Sequence, residues 1–356
     1  MHLEEGTLSP LYKEYQARKI LWLFSGGVLL CGVIVLSISV GAVRIPPLDV
    51  LFTLLGRGDT KRWAIIIWNV RLPQTLVAVV AGAGLSVAGA VMQSILRNPL
   101  GSPFTLGISN AAAFGAALSV MVLGAGRMLS SQSDAVSILS PFAATGAAFF
   151  SSLMATGVIL LLSRTRGATP ESMALSGVAL ASLFTAGTML LQYFADDTQL
   201  AAMVFWTFGD VARAGWRELT IITAFVFISL LYFFAHRWDY NAIDAGEETA
   251  MGLGVKVRQG RLFGMVFASL ISSVIVAFVG VIGFVGLVCP HIVRRVIGDD
   301  YRFLIPGSAL LGSLLLLGAD MAARLVLVPR VLPVSVLTSF LGAPLFIWLI
   351  TRRGRS

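Results

Sequence analysis

Between Ile20 and Ile350 the chain repeats one pattern: an apolar run, then a short polar connection. A helix needs about 20 mostly apolar residues to cross the hydrocarbon core of a bilayer. Runs of that kind fall at about 20–43, 72–96, 103–124, 137–162, 172–194, 219–235, 262–280, 281–293, 303–320 and 334–350. The eighth is too short to cross by itself, so it is a broken helix or shares residues with the seventh. The runs are continuous rather than alternating, which argues against membrane strands. The expected fold is all-α: a polytopic integral membrane protein of about ten transmembrane helices. Composition agrees, since 57% of the residues are hydrophobic and only 12% are charged. Soluble domains carry about 25% charged residues.

A net charge of +8 does not point to nucleic acid, because the basic residues sit in short loops where they fix orientation. With ten spans both termini share a side. Placing them in the cytoplasm puts 16 of the 26 Lys and Arg inside and 10 outside, the sign the positive-inside rule requires. Half of the outer positives lie between Arg44 and Arg71, a departure that implies an acidic partner for the outer surface. Residues 1–19 are mostly polar and read as a cytoplasmic segment, not as a cleavable signal; 20–353 read as one transmembrane domain. Cys31 and Cys289 lie in apolar runs and imply neither a disulfide nor a metal.

The spans hold almost no ionisable side chain, Asp320 and His291 lying near the ends of their runs. Ion-coupled carriers keep such groups at mid-membrane, so an ion-coupled secondary transporter is the disfavoured alternative from another class. Three histidines cannot build a clustered catalytic site. What the second span does hold is small residues: Gly82, Ser86 and Gly89 share one face, which lets helices approach closely. Gln93 follows on that face. A buried amide needs partners, so Gln93 ties two helices together or faces a wet path. No GxxxxGK[ST] phosphate loop occurs in the chain, so any nucleotide would sit on another subunit. The polar loop 236–261, HRWDYNAIDAGEETAMGLGVKVRQGR, is the docking candidate. Its stretch from Asp244 to Met251 predicts a short helix ended by Gly252 or Gly254, with Glu247 and Glu248 suiting the helix dipole.

Three separated segments, RLPQ…GAGLSVAGAVMQ…RNPLGSPFTLGIS, then GVIGFVGLVCPHIVRRVIGDDYRFLIPGSALLG, then ADMAAR…LPVSVLTSFLGAPLFIWLI, resemble the FecCD family, from about Arg71 to Arg353. These are permease subunits of type II ABC importers for iron–siderophores, haem and cobalamin. The resemblance implies a pore of two permease subunits (a homodimer or a pair of paralogues), two ATP-binding subunits below and a periplasmic or lipoprotein substrate-binding protein above. It implies residence in the bacterial or archaeal inner membrane. ATP and Mg would be held by the partner ATPase, and no cofactor by this chain.

The resemblance also implies roles for particular residues. Asp244, Glu247, Glu248, Ala250, Gly252 and Gly254 would couple to the ATPase. Arg71 and Arg324 would meet carboxylates of the binding protein. Many relatives read RLPR where this chain has Gln74, which removes one such contact; Lys61, Arg62 or Arg330 could replace it. The cytoplasmic gate would lie at Thr169, Pro170, Glu171 and Ser172, although relatives often carry small hydroxyl residues where Pro170 and Glu171 stand. The pathway would be lined by Gln93, Met189, Gln192 and Phe346, beside a short helix at about Thr198 to Phe208. His291 reads as structural. The expected function is import of a metal chelate, a ferric siderophore first, with haem or cobalamin as the alternatives. The subunit itself does no covalent chemistry.

Overall fold

The computed structural model describes residues 10–41, 43–58, 60–123, 126–128, 136–138, 141–165, 169–327 and 330–351. Its helices are α1 (Pro10–Ser39), α2 (Pro47–Leu54), α3 (Lys61–Ile66), α4 (Leu72–Ile95), α5 (Ile108–Leu123), α6 (Pro141–Thr165), α7 (Pro170–Phe194), α8 (Asp197–Thr207), α9 (Trp216–Ala235), α10 (Arg237–Ala245), α11 (Glu247–Gly252), α12 (Val257–Val279), α13 (Val285–Ile297), α14 (Tyr301–Leu325) and α15 (Val334–Thr351). A π-helical turn, Ile67–Arg71, joins α3 to α4. The only sheet among the described residues is a hairpin of two three-residue strands, β1 (Gly126–Met128) and β2 (Val136–Ile138).

Every apolar run read from the sequence falls on a helix. Seven helical stretches are long and apolar enough to cross a membrane, and α5 and α15 are shorter apolar helices. The eighth run is a broken one. Helix α12 stops at Gly280 (φ +85°), and the chain restarts as α13 after Phe284, which adopts φ +67°. At 13 residues α13 is about 20 Å long, short of the roughly 30 Å core. Non-helical backbone at membrane depth must be satisfied by protein or a wet cavity, and here protein does it. Asp210 N–H donates to Val279 O at 2.8 Å, Phe208 pairs with Val281, and Val334 N–H donates to Gly209 O at 2.9 Å. The end of α8, the α12–α13 break and the start of α15 thus meet in one seam. Helix α8 itself lies where a short helix was expected, opened by a capping box of Asp196 and Gln199.

Helix α4 is the core of the bundle. Twenty of its 24 residues are buried, against α9, α12, α13 and α14. The small-residue face explains how. A methyl group on Gly82 would stand 2.3 Å from Gly312 O, and one on Gly89 would stand 1.7 Å from Gly286 O. Ser86 packs on Gly312 between them. The face read from the sequence is therefore a packing face, set against α14 at Gly82 and Ser86 and against α13 at Gly89.

Helices α10 and α11 cap one end of the bundle, which we call the inner end. The opposite, outer end carries α2, α3 and the C-terminus of α1. Helix α1 is helical from Pro10, so the polar segment read as 1–19 enters the bundle earlier than expected. Arg302 holds that extension in place: its guanidinium donates to Tyr12 Oη at 3.1 Å, pairs with Asp300 at 2.6 Å and lies over the Trp238 ring.

Candidate functional site

The α8–α12–α13–α15 seam borders a cavity of about 620 Å³ lined by Phe104, Phe208, Val281, Ser335, Ser339 and Phe340 among others. A second, of about 300 Å³, shares Phe104, Thr207 and Val281 with it and extends to Asn110, Thr185, Met189 and Gln192. Neither is lined by a charged side chain. Asn110 is oriented by donating to Thr185 Oγ1 at 2.8 Å. Rings, hydroxyls and amides can hold a bulky solute through contact area and hydrogen bonds, without ion pairing. Phe284, strained into φ +67°, packs against Gly342 of α15, where a methyl group would come within 2.5 Å of its Cβ.

The four expected pathway residues divide into two groups. Met189 and Gln192 line the second cavity. Gln93 lines a separate cavity of about 440 Å³ at the inner end, with Arg97, Asp244, His291, Arg294 and Asp299. Its Nε2 also donates to Leu287 O at 3.3 Å, so it both ties α4 to α13 and faces a polar opening. Phe346 stands against the His291 ring, centroids 6.3 Å apart. The expected gate residues open α7: Thr169 is its N-cap, accepting from Ser172 N–H at 3.2 Å, Pro170 is its first residue, and Glu171 lies in the first turn. That is ordinary helix-start chemistry. None of the four lines the cavities above.

At the inner end the predicted helix from Asp244 to Met251 is two helices. Gly246, at φ +129°, separates α10 from α11, so Asp244 lies in the last turn of α10. Gly254, at φ +81°, follows α11 as a C-terminal glycine should. Asp244 is the knot of a network. Its Oδ1 accepts from Ser94 Oγ at 2.5 Å, and its Oδ2 accepts from Arg294 at 3.2 Å. Arg294 also donates to Tyr301 Oη at 2.8 Å, and Tyr301 donates to Ala90 O at 3.0 Å. Asn241 of α10 accepts from Tyr301 N–H at 2.9 Å. One carboxylate and one amide thus lash α10 to α4, α13 and α14.

Glu247 forms a two-pronged bond with the buried Arg261, at 2.8 and 3.2 Å. That hydrogen bond holds its carboxyl below the usual range. Ala250 is fully buried, whereas Glu248, Gly252 and Gly254 are exposed. Met251 and Leu253, which sequence reasoning passed over, are 55% and 71% exposed. Two apolar side chains just after the polar run Glu247–Glu248–Thr249 were the signal available.

The two arginines expected at the outer surface face inward. Arg71 is 6% exposed and donates to Ile38 O at 2.7 Å, to Ser39 O at 3.1 Å and to Val43 O. Arg324 donates to Ser37 O and Val40 O at 3.2 and 3.1 Å, to Ser37 Oγ at 2.8 Å, and pairs with Asp320 at 2.8 Å. Together they satisfy carbonyls that the C-terminus of α1 leaves open, α1 having no basic residue in its own last turn. Gln74 completes the cluster, donating to Asp320 Oδ1 at 2.8 Å. Among the described residues no group of three or more metal-binding side chains occurs.

A family model described as the FecCD transport family matches residues 29–352. A candidate ABC transporter permease of Methanocaldococcus jannaschii is 53% identical over 345 residues, covering 96% of this chain and 97% of that one. The hemin transport system permease protein HmuU of Yersinia pestis is 37% identical over 322 residues, covering 90% and 94%. A candidate metal-chelate type ABC transporter, solved in an inward-facing conformation, matches with a TM-score of 0.80 at 28% identity, over 93% of this chain and 98% of that one.

Proposed function

The chain belongs to the FecCD transport family, and we propose that it forms one half of the pore of an ATP-driven importer that carries a metal chelate inward. It is an ABC importer permease, a transport subunit. The finer reading is that two ATP-binding subunits, holding ATP and Mg, dock on α10 and α11, and that a substrate-binding protein delivers cargo at the outer end. The inner end is cytoplasmic in this reading, consistent with the excess of basic residues there. A second permease subunit would complete the pore, against the sparsely buried α7 and the exposed Phe340 and Leu341 of α15.

The observation that carries the reading is the Asp244 network. A docking segment that transmits force must be anchored to the helices it moves and bare toward what pushes it. Helix α10 is anchored to α4 and α13 through Asp244, and the α11 tip presents Met251 and Leu253. On the cargo side, an uncharged wall with the rings of Phe104, Phe208 and Phe340 suits a large chelate whose metal is wrapped by its ligand. A ferric siderophore is the first choice, and the hemin permease at 37% identity supports haem as the second. The test is reconstitution of the full chain with its ATPase and binding protein in liposomes. Uptake of a ferric siderophore that requires ATP supports the reading. Uptake that follows a proton gradient without ATP overturns it.

A further inference from the structure

We infer that the outer segment around α2 and α3 is a binding site for anionic phospholipid headgroups of the outer leaflet. The inference rests on the orientation proposed above. Four cations, Arg44, Arg57, Lys61 and Arg62, are exposed there, and among the described residues none of them forms an ion pair or a side-chain hydrogen bond. The same stretch of sequence holds two carboxylates, Asp49 and Asp59; Asp49 is half-buried in α2, and Asp59 lies outside the described residues.

Depth decides what these cations face. Helix α9 has 20 residues, about 30 Å, the thickness of one hydrocarbon core, so its first residue, Trp216, stands at the core boundary. Trp216 stacks on Trp68 at 6.4 Å and donates to Trp68 O at 2.8 Å, which fixes Trp68 at the same level, where tryptophans collect in membrane proteins. Lys61 and Arg62 precede Trp68 by six or seven residues of continuous helical chain, roughly 10 Å, and so stand among the headgroups. Lys61, Ile65 and Trp68 follow at i, i+4 and i+7, one helix face, and Ile65 and Trp68 are 60% and 42% exposed. The cation therefore tops a face whose lower part is apolar and bare, the arrangement of a side chain reaching from lipid to phosphate. Beside it α2 bares Leu48, Leu51 and Phe52, and its C-cap Leu55 is exposed as well, apolar residues that suit the acyl boundary of an interfacial helix. A protein docking from above would be met by the cations alone and would leave this apolar surface unused. A lipid uses both. The basic excess that departs from the positive-inside rule then marks where the outer end is held to its leaflet.

The test uses the full chain, co-purified with its ATPase, in nanodiscs of mixed phosphatidylcholine and phosphatidylglycerol. Spin-labelled forms of each lipid report the fraction immobilised by the protein. Near an anionic surface each cation contributes roughly a fivefold preference. The triple variant Arg57→Gln, Lys61→Gln, Arg62→Gln should therefore lose at least about fivefold of the phosphatidylglycerol preference, with phosphatidylcholine unchanged. Added salt should weaken the preference of the wild type. An unchanged preference, or equal loss of both lipids, overturns the proposal. So does a variant that keeps its lipid but loses an acidic binding protein, which would make the patch a protein dock. Orientation is read separately, from Lys61→Cys in a background with Cys31 and Cys289 replaced by Ser. Labelling of cells by an impermeant maleimide supports an outer placement, and labelling only after permeabilisation overturns the placement whatever the lipid preference.

Discussion

Arg71, Gln74, Asp320 and Arg324 show what a residue's identity does and does not reveal. Their place near the outer end was legible, since each lies at the edge of an apolar run. Their direction was not, because the carbonyls they satisfy belong to a helix more than 30 positions away in sequence, and no periodicity records such a pairing. The docking role drawn from the resemblance therefore meets a structure in which both guanidiniums are occupied by α1. Gln74, read as a lost contact, has a partner in Asp320. A consequence follows for stability. Arg324→Met leaves the Asp320 carboxylate buried without its cation, and removing one partner of a buried pair costs about 3–5 kcal/mol. Arg324→Met in detergent should unfold at markedly lower temperature, whereas Asp320→Asn paired with Arg324→Met should recover part of the loss. Equal stability of Arg324→Met and wild type would contradict the burial described here. At the small-residue face the sequence was sufficient. Gly89→Ala, whose methyl group would meet Gly286 O, should destabilise by about 1–3 kcal/mol as the helices are forced apart, read from the same unfolding curves.

Among the elements, long runs were legible and breaks were not. Ten runs became ten helices because length and apolarity alone decide what sits in lipid. The division of the inner loop at Gly246 and the restart after Phe284 depend on single backbone conformations. Gly246 falls in a segment too short to show a period, and a phenylalanine at φ +67° carries no signal in its sequence. The inner segment also yields functional expectations. Asp244→Asn keeps the shape of the side chain but removes the charge that ties Arg294 to α10, leaving Arg294 paired with Asp299 alone. It should leave ATP hydrolysis within about twofold while cutting transport at least tenfold, a loss of about 1.4 kcal/mol or more in coupling. Parallel loss of both activities would mean that Asp244 serves docking or folding rather than transmission. Glu247 gives a pH dependence. Its folded pKa lies below its ordinary value of 4.5 because of the Arg261 bond, so the bond's contribution is present above that value and is lost as pH falls through the lower, folded one. Proteolysis within 236–261 should therefore rise in acid for wild type, whereas Arg261→Gln, which lacks the bond at every pH, should be cleaved faster already at neutral pH and lose that acid-dependent rise.

At the scale of the molecule, two polar surfaces lie at opposite ends of the bundle and one seam lies between them. The inner surface is anchored by the polar bonds of Asp244, Asn241 and Glu247 and bare at Met251 and Leu253. The cavities border the seam where α8, the α12–α13 break and α15 exchange backbone bonds, which gives a moving pathway a place to open without exposing unpaired groups to lipid. Family and fold class were readable from three motifs and a hydropathy pattern. Cargo was not, because an uncharged cavity wall leaves no signature beyond its apolarity. The central claim is that force applied at α10 and α11 opens this seam. The most direct measurement is cargo uptake and ATP hydrolysis, followed together in liposomes holding the full importer, for wild type and for Met251→Asp with Leu253→Asp. The account predicts that the doubly charged tip loses the ATPase and that both activities disappear, while the permease alone stays folded. Full ATP-dependent uptake by that variant would contradict it.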